Sequence, residues 1–128
     1  MGGHAELLRR LFTASAEGDG ATIQAAMAPG IRWHTPGGNL LAGDPEGRDA
    51  VLAQLRRSAE LTGGTYRVEV LDVLEGVDHA AVVYRGTGQR DGRDLDLLHV
   101  ALYAIAGRQV HEVWIAPLDQ AAFDAAWA

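Results

Sequence analysis

Three side chains in this sequence suit proton transfer near neutral pH: His34, His99 and Glu112. Histidine titrates in that range. A carboxylate beside it fixes the tautomer and raises the pKa, whereas desolvation lowers it. Two such groups in different environments separate into an acid and a base. All three fall in segments with strand patterning. In "LDLLHVALYAI", alternation places Leu95, Leu97, His99, Ala101 and Tyr103 on one face, and Asp94, Asp96, Leu98, Val100 and Leu102 on the other. In "QVHEVWIA", it groups Val110, Glu112, Trp114 and Ala116. His34 arrives beside Trp33 in "IRWHTPGG". Those two point to opposite faces of a regular strand, so one enters an interior and the other lies at its mouth or against a partner subunit.

The elements that must position these residues follow from the periodicity. Residues 4–17 carry Leu7, Leu8, Leu11 and Phe12 as a helical stripe, stopped at Gly18–Asp19–Gly20. A short second helix over "DGATIQAAMA" ends at Pro29–Gly30, and residues 31–35 form a short strand. Residues 36–47, "PGGNLLAGDPEG", read as a loop that forms a lid or entrance. A third helix spans about 47–61, with Val51, Leu52 and Leu55 inward. From Thr65 the period changes to two, and four strands follow. They are "TYRVEVLDVLEG", "HAAVVYRGTGQ", "LDLLHVALYAI" and "QVHEVWIA", with an Asp-Gly hairpin tip at residues 91–92. Residues 118–127 close with a short helix. Helices followed by an antiparallel meander predict an α+β domain over residues 1–128.

The totals exclude several classes. With 128 residues, 48% of them hydrophobic, the chain has the size of one ordinary domain with one core. The absence of cysteine removes disulfides, thiolate metal sites and cysteine nucleophiles. A net charge of −6 without a basic stripe argues against nucleic acid. No apolar run is long enough to span a bilayer, and charges interrupt "AELLRRLF", so a cytoplasmic location is expected. There is no phosphate-binding loop, dinucleotide fingerprint or nucleophile elbow. His99 and His111 fall on adjacent strands with no third ligand apparent, so no metal is expected.

The order of elements, with "EGDGATI", "RWHTPGGNLLAGDPEGRDAV", "RDGRDLDLLHVALYAIAGRQVHEVW" and "LDQAAFDAAW", resembles the SnoaL-like branch of the NTF2-like, ketosteroid isomerase-type superfamily. The resemblance implies a cone-shaped fold: N-terminal helices packed on a curved, mostly antiparallel sheet around one deep pocket. It also implies no metal or organic cofactor, and a homodimer through the outer face of the sheet. By position, His99 falls about where steroid isomerases hold a protonated acid against the substrate oxygen. The same comparison turns Glu112 and Trp114 into the pocket and His111 outward. The sequence departs from those enzymes at Leu11–Phe12, where they carry a tyrosine, and in "WHTPGG", which offers His34 in place of a carboxylate base. Arg85 with Asp96 faintly echoes the set used by limonene-type epoxide hydrolases, without a second inward aspartate.

The reading is a cofactor-independent acid–base enzyme of cyclase, isomerase or dehydratase type, acting on a hydrophobic polyketide-like small molecule. His99 and His34 are the acid–base pair and Glu112 orients them. Trp33, Trp114, Tyr84, Tyr103, Leu97 and Ala101 line the pocket. The alternatives are a non-catalytic binding or dimerisation module, and an epoxide hydrolase.

Overall fold

The computed structural model describes residues 3–128. Helix α1 (Gly3–Glu17) buries Leu8, Leu11 and Ala14, the stripe its sequence spacing lays on one face. Helix α2 (Gly20–Ala25) starts where the Asp19 side chain accepts from the Thr22 amide. Strand β1 (Met27–His34) follows directly. Helix α3 (Arg48–Leu61) buries Val51. Four strands then run in succession: β2 (Arg67–Glu75), β3 (His79–Arg90), β4 (Arg93–Ala106) and β5 (Gln109–Pro117). Helix α4 (Gln120–Ala126) closes the chain, capped by Asp119, which accepts from the Ala122 amide. None of the described helices is long and apolar enough to cross a membrane.

The sheet order is β1-β5-β4-β3-β2. Strand β1 runs parallel to β5, and the other neighbours are antiparallel. At the β3–β4 tip, Asp91 and Gly92 both take positive φ, the conformation that Asp-Gly supplies at low cost. The helices cover one face of the sheet. Between helices and sheet lies the main core, which joins Leu8 and Leu11 of α1 to Met27, Ile31 and Trp33 of β1 and to Val82, Tyr103, Val110 and Val113 of the meander. A second cluster, Leu95, Phe123 and Trp127, packs α4 against the far end of β4. Gly86 on β3 leaves room for the Tyr66 ring, because a Cβ there would collide with it.

Two expectations about strands are corrected. Strand β1 begins at Met27, so Pro29–Gly30 lies inside it rather than before it. An edge strand tolerates proline, and the register with β5 shifts between Met27 and Arg32. Strand β5 is not regular either. Ala104 pairs with Glu112 but Ile105 with Val110, so His111 sits in a bulge. Val110 and Val113 therefore both face the core, and alternation resumes with Ile115 inward. Glu112 and Trp114 consequently stand on the outer face, opposite to the expected placement.

Candidate functional site

Strand β4 delivers His99 inward as its alternation predicts. The residue is 1% exposed and borders a cavity of about 550 Å³ between the sheet, α1 and α3. Tyr84, its partner across β3, stacks on the imidazole with centroids 4.5 Å apart and planes 14° apart. Phe123 of α4 meets the ring edge-on at 5.6 Å. Deeper in, Trp33 meets Tyr103 edge-on at 6.2 Å, and Phe12 of α1 lies 5.8 Å from Tyr84. Ser15, Gln54, Ser58 and Thr35 add polar atoms to the lining. No aspartate or glutamate borders the cavity.

Burial without a charged partner sets the protonation states. Desolvation lowers the His99 pKa to about 4, so the ring is neutral near pH 7. Its Nδ1 is buried and has no hydrogen-bond partner among the described residues. Desolvation raises Tyr66 to about 12 and pushes Tyr84 and Tyr103 up as well, so all three phenols keep their protons. The cavity thus offers one neutral base, several neutral O–H donors and, from Arg67, a cation, largely walled by aromatic rings.

The other expected residues gather on the opposite side of the sheet. His34 places Nδ1 2.6 Å from Asp44 Oδ1 and Nε2 2.6 Å from Glu112 Oε2, so the ring donates to both carboxylates when it is protonated. Arg32 donates to the second Glu112 oxygen at 2.8 Å. Trp114 stacks against His34 with centroids 5.8 Å apart, and His79 flanks the indole at 6.4 Å. The hydrogen bonds to Asp44, first, and to Glu112 raise the His34 pKa above its ordinary 6.5. Of these residues, His34, Asp44 and Trp114 border a shallow outer hollow of about 510 Å³ under the 36–47 loop. The two carboxylates take opposite ring nitrogens and share no common point. Among the described residues, no three His, Asp or Glu side chains come together to hold a metal ion.

The expected constellation is therefore divided. The sheet separates His99, Trp33, Tyr84 and Tyr103 from His34, Glu112 and Trp114, so His34 and His99 do not form a pair. Leu97 packs in the second core cluster, and Ala101 is fully buried in the main one; neither borders the cavity. Arg85 and Asp96 form an exposed ion pair at 3.1 Å, outside the cavity, so no carboxylate set of the epoxide-hydrolase kind exists there. Asp44 was missed, because a residue in a loop carries no periodicity. Tyr66 and Phe12 also line the cavity. The tyrosine stands one residue ahead of β2, where alternation says little about its direction.

A family model described as SnoaL-like domain matches residues 8–113. This chain belongs to the SnoaL-like family. It is 36% identical over 124 residues to the uncharacterized protein Rv0034 of Mycobacterium tuberculosis, covering 96% of this chain and 95% of that one. Among solved structures it is similar to Bal32a from a soil-derived mobile gene cassette, with 32% identity, a TM-score of 0.94, and 98% and 97% of the two chains covered. It is also similar to a candidate SnoaL-like polyketide cyclase from Jannaschia sp. CCS1, with 25% identity, a TM-score of 0.76, and 91% and 85% covered. Other neighbours carry the NTF2-like name, and the cone of helices on a curved sheet is the architecture this SnoaL-like chain shares with them.

Proposed function

We propose that this SnoaL-like chain is an acid–base catalyst that needs no cofactor and acts on an apolar, ring-bearing molecule with a carbonyl oxygen. The observation that carries this reading is His99, a buried neutral imidazole bordering a 550 Å³ cavity free of carboxylates. A neutral imidazole accepts a proton from carbon beside a carbonyl. Protonated phenols, such as those of Tyr84 and Tyr103, donate to the oxygen on which charge then develops. Trp33 and Phe12 supply flat walls for a ring. Cyclisation, isomerisation and dehydration all begin with this proton movement. The name of the Jannaschia relative agrees with the first of them. The partner expected for the chain, a second copy, would use the outer face, where Leu74, Leu102 and Trp114 stand exposed.

A binding module without catalysis is the rival. It is favoured by the absence of any carboxylate to orient His99 within the cavity lining. Deuterium uptake at the α-carbon of 2-tetralone, followed by NMR in D2O, separates the two. The catalytic reading expects wild-type protein to exceed the buffer rate and His99→Gln to lose about 10²–10⁴-fold, with little change in affinity. Bound ketone that exchanges no faster than in buffer would leave the binding module.

A further inference from the structure

The inner cavity and the outer hollow share two wall residues, Thr35 and Ile115. Each is 9% exposed, and together they are the partition between the two spaces. The 36–47 loop lines the outer side of that partition. Its backbone pairs with β1 through reciprocal Thr35 and Gly43 hydrogen bonds, both 3.0 Å, and through Trp33 N–H donating to Pro45 O. Its one acidic anchor on the sheet side is Asp44, held at 2.6 Å by His34, whose other nitrogen is held at 2.6 Å by Glu112. His34 therefore clips the loop to β5, directly beside both wall residues: Thr35 follows His34, and Ile115 follows Trp114.

We propose that His34 is the pin of a gate, and that releasing it opens a second entrance to the cavity between Thr35 and Ile115. The stereochemistry requires a proton. An imidazolium has two N–H groups and satisfies both carboxylates, whereas neutral imidazole has one and turns a lone pair toward the other. Charged and titratable groups reach His34 from each neighbouring element: Asp44 from the loop, Glu112 from β5, and Arg32 from β1 through Glu112. His79 of β3 stands on the far side of Trp114. Arg32, a permanent cation, holds the other Glu112 oxygen at 2.8 Å, and the proton on which the clip depends is that of His34. The gate is pinned while His34 is charged. It loosens as pH rises through the folded His34 pKa, which the carboxylates hold above 6.5. The proposal needs the cavity but not catalysis.

The chain has no cysteine, so a single introduced thiol reports directly on the partition. Thr35→Cys, alone and combined with His34→Gln, is labelled with a methanethiosulfonate at a series of pH values. Each rate is divided by that variant's own thiolate fraction, read from ultraviolet absorbance, because the charge on His34 beside the thiol shifts its ionisation. Below the His34 pKa, the double variant is expected to react about tenfold faster, the equilibrium equivalent of one charge-assisted hydrogen bond. Above that pKa the two rates converge. A ratio near one at low pH, or a ratio that does not change with pH, overturns the gate. Ile115→Cys gives the same readout from the other wall residue if Thr35→Cys fails to fold.

Discussion

His99 and His34 are one side chain in two settings, an aromatic cavity on the inner face of the sheet and an ionic cluster on the outer face. Inside, desolvation meets no compensating charge, and the pKa falls to about 4. Outside, a ring whose side chain is still 28% exposed meets two carboxylates, and the pKa rises. Solvent access alone would predict a smaller difference. The partner set decides it: none for His99 Nδ1, one carboxylate at each nitrogen for His34. The inner histidine suits the accepting of a proton from a ligand, and the outer one suits holding two acids together.

The contrast between the two faces is broken most easily through their tryptophans. Trp127 is fully buried behind α4, while Trp114 is 37% exposed on the outer face. Trp127→Ala is expected to cost about 3–5 kcal/mol of folding stability, and Trp114→Ala less than about 1 kcal/mol, by urea denaturation. Equal losses would mean that the outer face is covered in solution.

Stability against pH sharpens the same comparison, because the two histidines act with opposite sign. The folded His99 pKa lies below its unfolded value, so its neutral burial favours folding above pH 6.5 and that advantage is lost as pH falls toward 4. At full development the loss is roughly 3 kcal/mol. His34 has a raised pKa, so its contribution is complete below 6.5 and disappears as pH rises through the folded value. His99→Phe should remove much of the acid-side loss and leave the alkaline side untouched. An unchanged acid limb would assign it to other groups. The smallest effect belongs to Glu112→Gln, which removes one of the two carboxylates. The His34 resonance should then titrate at lower pH, with a stability change within about 1 kcal/mol, since the cluster is partly solvated. A His34 titration that ignores this substitution would place Asp44 alone in control.

The inner face was legible in the sequence because β4 is regular over its middle. Period-two alternation put His99, Ala101 and Tyr103 inward, and the structure agrees. The outer cluster was not legible, for two physical reasons. One inserted residue in a strand reverses the faces of everything beyond it, and the bulge at His111 did this to Glu112 and Trp114. Its trace in the sequence is the spacing of Val110, Val113 and Ile115, apolar at intervals of three and then two. Asp44 reaches His34 only through the path of a long loop, which no local pattern encodes. Proline and glycine at 29–30 misled for a related reason. They end helices reliably, yet an edge strand can absorb them where its register shifts.

The 36–47 loop has a consequence at the scale of many molecules. Strand β1 is one rim of the sheet, and bare rims recruit strands from other chains, which is how folded proteins begin to aggregate. Here the loop occupies that rim with backbone bridges at Arg32–Glu46 and Thr35–Gly43, while Pro29 has no N–H to offer. The opposite rim, β2, carries Arg67, Glu69, Asp72 and Glu75, whose charges discourage stacking. The loop that roofs the outer hollow thus also withholds the β1 rim's backbone groups from a neighbouring chain.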